Sequence, residues 1–147
     1  MKKTLLTLSI LLLPLTVAAK PQTFTAQLSG DQEVPPVLTQ ARGNLIVKVR
    51  KGVLSFKLIT ANIENVWAAH LHCAPAGANG PVGVTLHSGL IAKVNGILAQ
   101  GVIGTPDGLN VCGWATADDV IDAIKTGDVY VNVHTLQSRP GEIRGQF

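Results

Sequence analysis

Apolar and polar residues alternate along most of this chain, and the period of two is the signature of β-strands with one face turned to a core. In TFTAQLS, Phe24, Ala26 and Leu28 alternate with Thr25, Gln27 and Ser29. In NLIVKVR, Leu45, Val47 and Val49 form an apolar row opposite Lys48 and Arg50, and after Lys51-Gly52 the row continues through Leu54, Phe56 and Leu58. Two such runs joined by a two-residue turn predict a hairpin with one wet face. DQEVPPV is a loop, because Pro35-Pro36 supplies no ladder donors. Further strands are predicted at VWAAHLH, VGVTLHS, GILAQGVI, DVYVNVHT and EIRGQF.

One segment departs from this period. Residues 116–126 open with Thr116 as an N-cap and with Asp118 and Asp119 in the first turn. Val120, Ile121 and Ile124 fit one helical face, and Gly127 suits the stop. The fold class is therefore all-β: about seven or eight short strands in a β-sandwich or closed Greek-key barrel, with one short crossover helix at about 116–126. An outer-membrane barrel is excluded, since such barrels carry aromatic girdles and only 4% of these residues are aromatic.

The first nineteen residues obey different rules. MKKTLLTLSILLLPLTVAA begins with Lys2 and Lys3, runs through an apolar stretch broken by Pro14, and ends in Val17-Ala18-Ala19. This is the pattern of a secretory signal peptide cleaved before Lys20, and no stop-transfer run follows it. Residues 20–147 are then one exported domain, periplasmic or secreted, that does not span a membrane. Cleavage removes two lysines and lowers the formal charge of +3 by two units. With Arg50-Lys51 as the longest basic run left, there is no clustered footprint for nucleic acid. Export also bears on Cys73 and Cys112: an even count in an oxidising compartment favours a disulfide between them. The alternative is Cys73 as a metal ligand beside His72.

Strand parity sorts the histidines. Side chains at i and i+2 point the same way, so Trp67, Ala69, Leu71 and Cys73 fall on the apolar face of their strand, and Ala68, His70 and His72 on the other. In DVYVNVHT, Val129, Val131 and Val133 point inward, leaving Tyr130, Asn132 and His134 outward. His87 likewise points away from Val84 and Leu86. His70-x-His72 presents two imidazoles on one face, and His134 from a neighbouring strand would make a three-nitrogen site with an open position, suited to copper or zinc. His87 is a candidate fourth ligand. The competing reading is of surface histidines that only pack and hydrogen bond. No catalytic residue emerges: GxSxG, HExxH and GxxxxGK[ST] are all missing from the sequence.

Three stretches together, LSGDQEVPPV, AAHLHCAPAGANGPVGVTLHSG and GDVYVNVHTLQSRPGEIRGQF, resemble the CHRD family, a domain found in chordins and in exported bacterial proteins. The likeness covers roughly residues 23–147. Its most specific part is GEIRG, matched by Gly141, Glu142, Ile143, Arg144 and Gly145. Some members carry a Cys after the Arg, where this chain has Gly145. The resemblance implies an immunoglobulin-like barrel distantly similar to copper-zinc superoxide dismutases, and implies no general activity. A dismutase site needs six histidines and an aspartate across two metals, and four histidines cannot fill it. Glu142 and Arg144, two apart on one strand face, read as a polar pair or cross-strand ladder that fixes register, with an anion or partner contact by Arg144 as the other option. The leading expectation is a non-enzymatic binding module holding copper or zinc. The alternatives are a metal-free module for an envelope or extracellular partner, and a copper-only dismutase-like redox enzyme.

Overall fold

The computed structural model describes residues 20–147, so the predicted signal peptide, residues 1–19, lies outside the described residues. The alternating segments form six strands: β1 Gln22–Ser29, β2 Arg42–Arg50, β3 Val53–Cys73, β4 Val82–Ile103, β5 Val129–Thr135 and β6 Ile143–Gln146. Hydrogen bonding runs β2–β1–β6–β5–β3, and β3 returns to β2, closing a barrel. β4 pairs with β3 and stands outside the closed ring.

The eight predicted strand segments all recur, but four of them fuse into two long strands. LSFKL and VWAAHLH are the two ends of β3, 21 residues long, and VGVTLHS and GILAQGVI are the two ends of β4, 22 residues long. The joint in β3 is marked by Asn62 and Asn65, whose φ of 55° and 53° are left-handed, a region asparagine tolerates better than branched residues. There β3 changes partner: residues 53–61 pair with β2 and residues 66–73 pair with β5. A bent strand that serves two neighbours is how so few strands close a barrel.

The helix α1, Ala117–Thr126, forms where the sequence places it. Thr116 Oγ1 accepts from the Asp119 amide, and the Asp119 carboxylate accepts from the Thr116 amide, a reciprocal capping box. Val120, Ile121 and Ile124 are buried against the core. The helix lies in a connection that the topology requires. β4 and β5 are each antiparallel to β3 on its opposite edges, so they run parallel to one another and need a crossover connection.

The core is made of the inward rows that the alternation predicts, including Ala26, Leu28, Leu45, Val47, Leu54, Leu58, Leu71, Val131, Val133 and Ile143. One residue changes sides. Trp67 belongs by parity to the apolar face, yet the pairing of β3 slips between Val66 and Ala68. Val66 takes the core position, and the Trp67 ring lies 5.5 Å from the His134 ring. A bulge inserts one residue and resets which side chain faces which way.

Candidate metal centre

β3 and β5 run side by side with His70 opposite Asn132, His72 opposite Tyr130, and Ala68 opposite His134. His70 and His72 share a face by the i, i+2 rule, and the register puts His134 diagonally across on that same face. Each imidazole offers one nitrogen within 4.8 Å of the other two. His70 Nδ1 and His134 Nε2 are 2.9 Å apart, and the ring centroids of His70 and His72 are separated by 5.7 Å. His87 stays out of this group. It lies on β4 opposite Ala69, and its Nε2 bonds the Gly89 carbonyl at 2.7 Å.

The face is not wet. All seven residues of β5 are buried, on both sides, and His72 and His134 are only 6% and 7% exposed. Parity sets the face correctly, but the loops that return over it enclose the histidines. The segment after β3 brings the Gly80 carbonyl to 2.9 Å from His72 Nδ1, and the turn before β6 brings the Arg139 carbonyl to 2.8 Å from His134 Nδ1. A carbonyl only accepts, so both Nδ1 atoms carry hydrogen and both Nε2 atoms of the neutral rings are lone pairs. His72 Nε2 is buried with no partner. Asn132 Oδ1 beside it is also unpaired, its amide nitrogen being bonded to the Pro140 carbonyl.

Burial favours the neutral rings. His70 is pushed down to about 4, first by desolvation and then by the positive charge of His134 and His72, with Asp107 opposing. His72 and His134 are lowered for the same leading reason, and their carbonyl bonds work against it. Between these depressed values and the unfolded value of about 6.5, the unfolded chain binds more protons, so stability falls as pH drops through that window. Glu33 acts oppositely. Burial raises it to about 7, so its share of stability is present at low pH and lost as pH rises through 7. With three imidazoles against one carboxyl, the metal-free protein is expected to melt at a lower temperature at pH 5 than at pH 7. Thermal unfolding at the two pH values checks this, and an equal or higher melting point at pH 5 contradicts it.

The loop that caps His72 is held from several sides. Cys73 and Cys112 form a disulfide, with Cα atoms 5.7 Å apart, and both side chains pack against the core as parity predicts for Cys73. Cys73 is therefore not a metal ligand. Gly80 presses so closely on the Cys73 carbonyl that a Cβ there would collide with it. Tyr130 stacks on His72, with centroids 4.7 Å apart and planes 5° from parallel, and its hydroxyl lies between the Gly80 amide and carbonyl.

Arg144 is the largest fully buried side chain, 1% exposed. Its guanidinium lies 3.5 Å from the centre of the Tyr130 ring and donates to the Ala78 and Pro75 carbonyls, Asn79 Oδ1 and Gln146 Oε1. Of the two options for Glu142 and Arg144, the mutual pair is not the one found: Glu142 accepts from the hydroxyls of Thr39 and of Thr135 at the end of the neighbouring β5. Arg144 is drawn away because the 74–81 loop offers it a concentration of backbone carbonyls, while Glu142 sits just before β6 and faces the other loop.

The sequence profile of the CHRD domain matches residues 24–147. The chain belongs to the CHRD domain family. No curated protein and no solved structure provides a match. Within this CHRD domain the GEIRG stretch is a set of supports around the histidine face. Ile143 is core, Glu142 and Arg144 tie down two loops, and Gly145 leaves room for the Gln27 carbonyl of β1. Gly141, with φ of 145°, leaves room for Glu33 and Asn132. Among the described residues, no helix is long and apolar enough to cross a membrane.

Proposed function

We propose that this CHRD domain is an exported, non-enzymatic module that binds one transition-metal ion, copper or zinc, through His70, His72 and His134. The observation that carries this reading is the convergence of three imidazoles, two of them already fixed as Nε2 lone pairs by Nδ1–carbonyl bonds. Metal-ligating histidines characteristically donate their other ring N–H to such a partner. Moving the His70 proton to its outer nitrogen frees the third lone pair. The 2.9 Å between His70 Nδ1 and His134 Nε2 equals the spacing of two nitrogens held at about 90° by bonds of ~2.0–2.1 Å. The unpaired His72 Nε2 and Asn132 Oδ1 are what a cation would satisfy. Three neutral nitrogens suit copper and zinc and leave a coordination position open. The disulfide fits the oxidising compartment that the signal-peptide pattern implies.

The test is calorimetric titration of the metal-free protein beginning at Lys20, with Cu(II) and separately with Zn(II). The expected result is one ion per chain at neutral pH, with affinity falling at acidic pH where protons compete for the imidazole nitrogens. Absence of a saturable site for either ion removes the proposal.

A further inference from the structure

We infer that a cavity on the opposite side of Tyr130 from the histidines binds a small carboxylate between Arg144 and Glu33. Tyr130 lies on β5 with His72 on the β3 side and Arg144 on the β6 side, so the three side chains form a stack that separates this cavity from the metal centre. The cavity measures about 320 Å³, and Glu33, Ala76, Gly77, Arg144 and Gln146 contribute to its wall.

Two buried groups in that wall lack what their chemistry calls for. The Arg144 guanidinium bonds only to neutral oxygens, and among the described residues no carboxylate lies within 4.0 Å of it. A buried cation without a counter-ion is costly, and a ligand anion removes that cost. Glu33 is 6% exposed; its Oε1 is sealed beside Gly141 and Asn132 with no hydrogen-bond partner, which leaves the other carboxyl oxygen as the one a ligand can reach. The charged groups facing it are Arg144 on β6 and the exposed Asp31 on its own turn. Desolvation outweighs the pull of Arg144, so Glu33 keeps its proton through mildly acidic pH and can donate it to an anion.

A carboxylate satisfies both groups at once. Its planar pair of oxygens matches the guanidinium fork while one oxygen accepts from the Glu33 carboxyl. A phosphate dianion fits less well, because the cavity offers one cation and Asp31 stands at its edge. This inference is independent of metal binding and is tested on metal-free protein.

The probes are acetate and its uncharged isostere acetamide, followed by NMR titration. Acetate is expected to bind, with acetamide at least about tenfold weaker, as loss of a charge-assisted bond implies. Acetate binding should weaken between pH 5 and pH 8 as Glu33 ionises. Arg144→Lys is expected to weaken acetate by at least about tenfold. Glu33→Gln, which can still donate, should keep binding and lose the pH dependence. Should Arg144→Lys fail to fold, Glu33→Gln decides alone. Equal affinity for acetate and acetamide, or an undiminished pH dependence in Glu33→Gln, overturns the inference. A short peptide with a free C-terminus, compared with its amide, separates a peptide terminus from a free small acid as the source of the carboxylate.

Discussion

The double variant His72→Ala/His134→Ala is expected to bind Cu(II) or Zn(II) at least about a thousandfold more weakly than the parent. Structural zinc sites are worth ~10–16 kcal/mol over four ligands, so each ligand carries ~3 kcal/mol and two account for several decades of affinity. Both rings are buried and have Nε2 atoms that make no bond within the protein other than the His70–His134 contact. Their removal also takes away the Nδ1 bonds to the Gly80 and Arg139 carbonyls and the stack on Tyr130, so the variant should be less stable than the parent while keeping its far-UV spectrum. His87→Ala is the matched control, because that ring bonds its own turn on β4 and should leave affinity unchanged. Titration of the three proteins side by side checks this. A double variant within tenfold of the parent, or a loss equal to that of His87→Ala, would count against the three-histidine site.

Removing the disulfide with Cys73→Ala/Cys112→Ala is expected to lower the unfolding free energy by about 4 kcal/mol on the chain-entropy account. The bond closes a long loop, with 39 residues of sequence separation, and so excludes many unfolded conformations. The effect should extend to the metal centre. Cys73 follows His72 directly, and its amide bonds the Pro81 carbonyl next to Gly80, whose own carbonyl fixes the His72 tautomer. Freeing that segment loosens an outer partner of a ligand, a change that typically costs about 10–100-fold in metal affinity. Urea denaturation gives the first quantity and titration of the folded variant the second. Loss of stability with wild-type affinity would show that the loop holds Gly80 without the disulfide.

The inward rows of β1, β2, β5 and β6, the capping box of α1 and the shared face of His70 and His72 were legible from period, parity and end signals. These are local properties, set by side-chain alternation along a strand and by hydrogen bonds within a single turn. The meeting with His134 was legible only as an expectation, because it depends on which strands pair and in what register. Trp67 was misplaced because a one-residue slip reverses parity without any mark that alternation records. The burial of the histidine face was not legible either. It comes from loops at residues 74–81 and 136–142 and from the turn carrying Glu33, whose paths are fixed by contacts far apart in sequence, such as Arg144 to Ala78 and Glu142 to Thr39. Tyr130 and Asn132 fell on the correct face by parity, but their roles follow from what the loops bring against them. Glu33, in a proline-bounded loop, carried no periodic signal at all.

The central claim is that three imidazole nitrogens of this CHRD domain converge on one ion, and electron paramagnetic resonance of the protein loaded with one equivalent of Cu(II) reads that number directly. The account predicts nitrogen superhyperfine coupling from three imidazoles, reduced to a single imidazole in His72→Ala/His134→Ala. A spectrum of aqueous or adventitious copper, or one that is the same in parent and double variant, would contradict it.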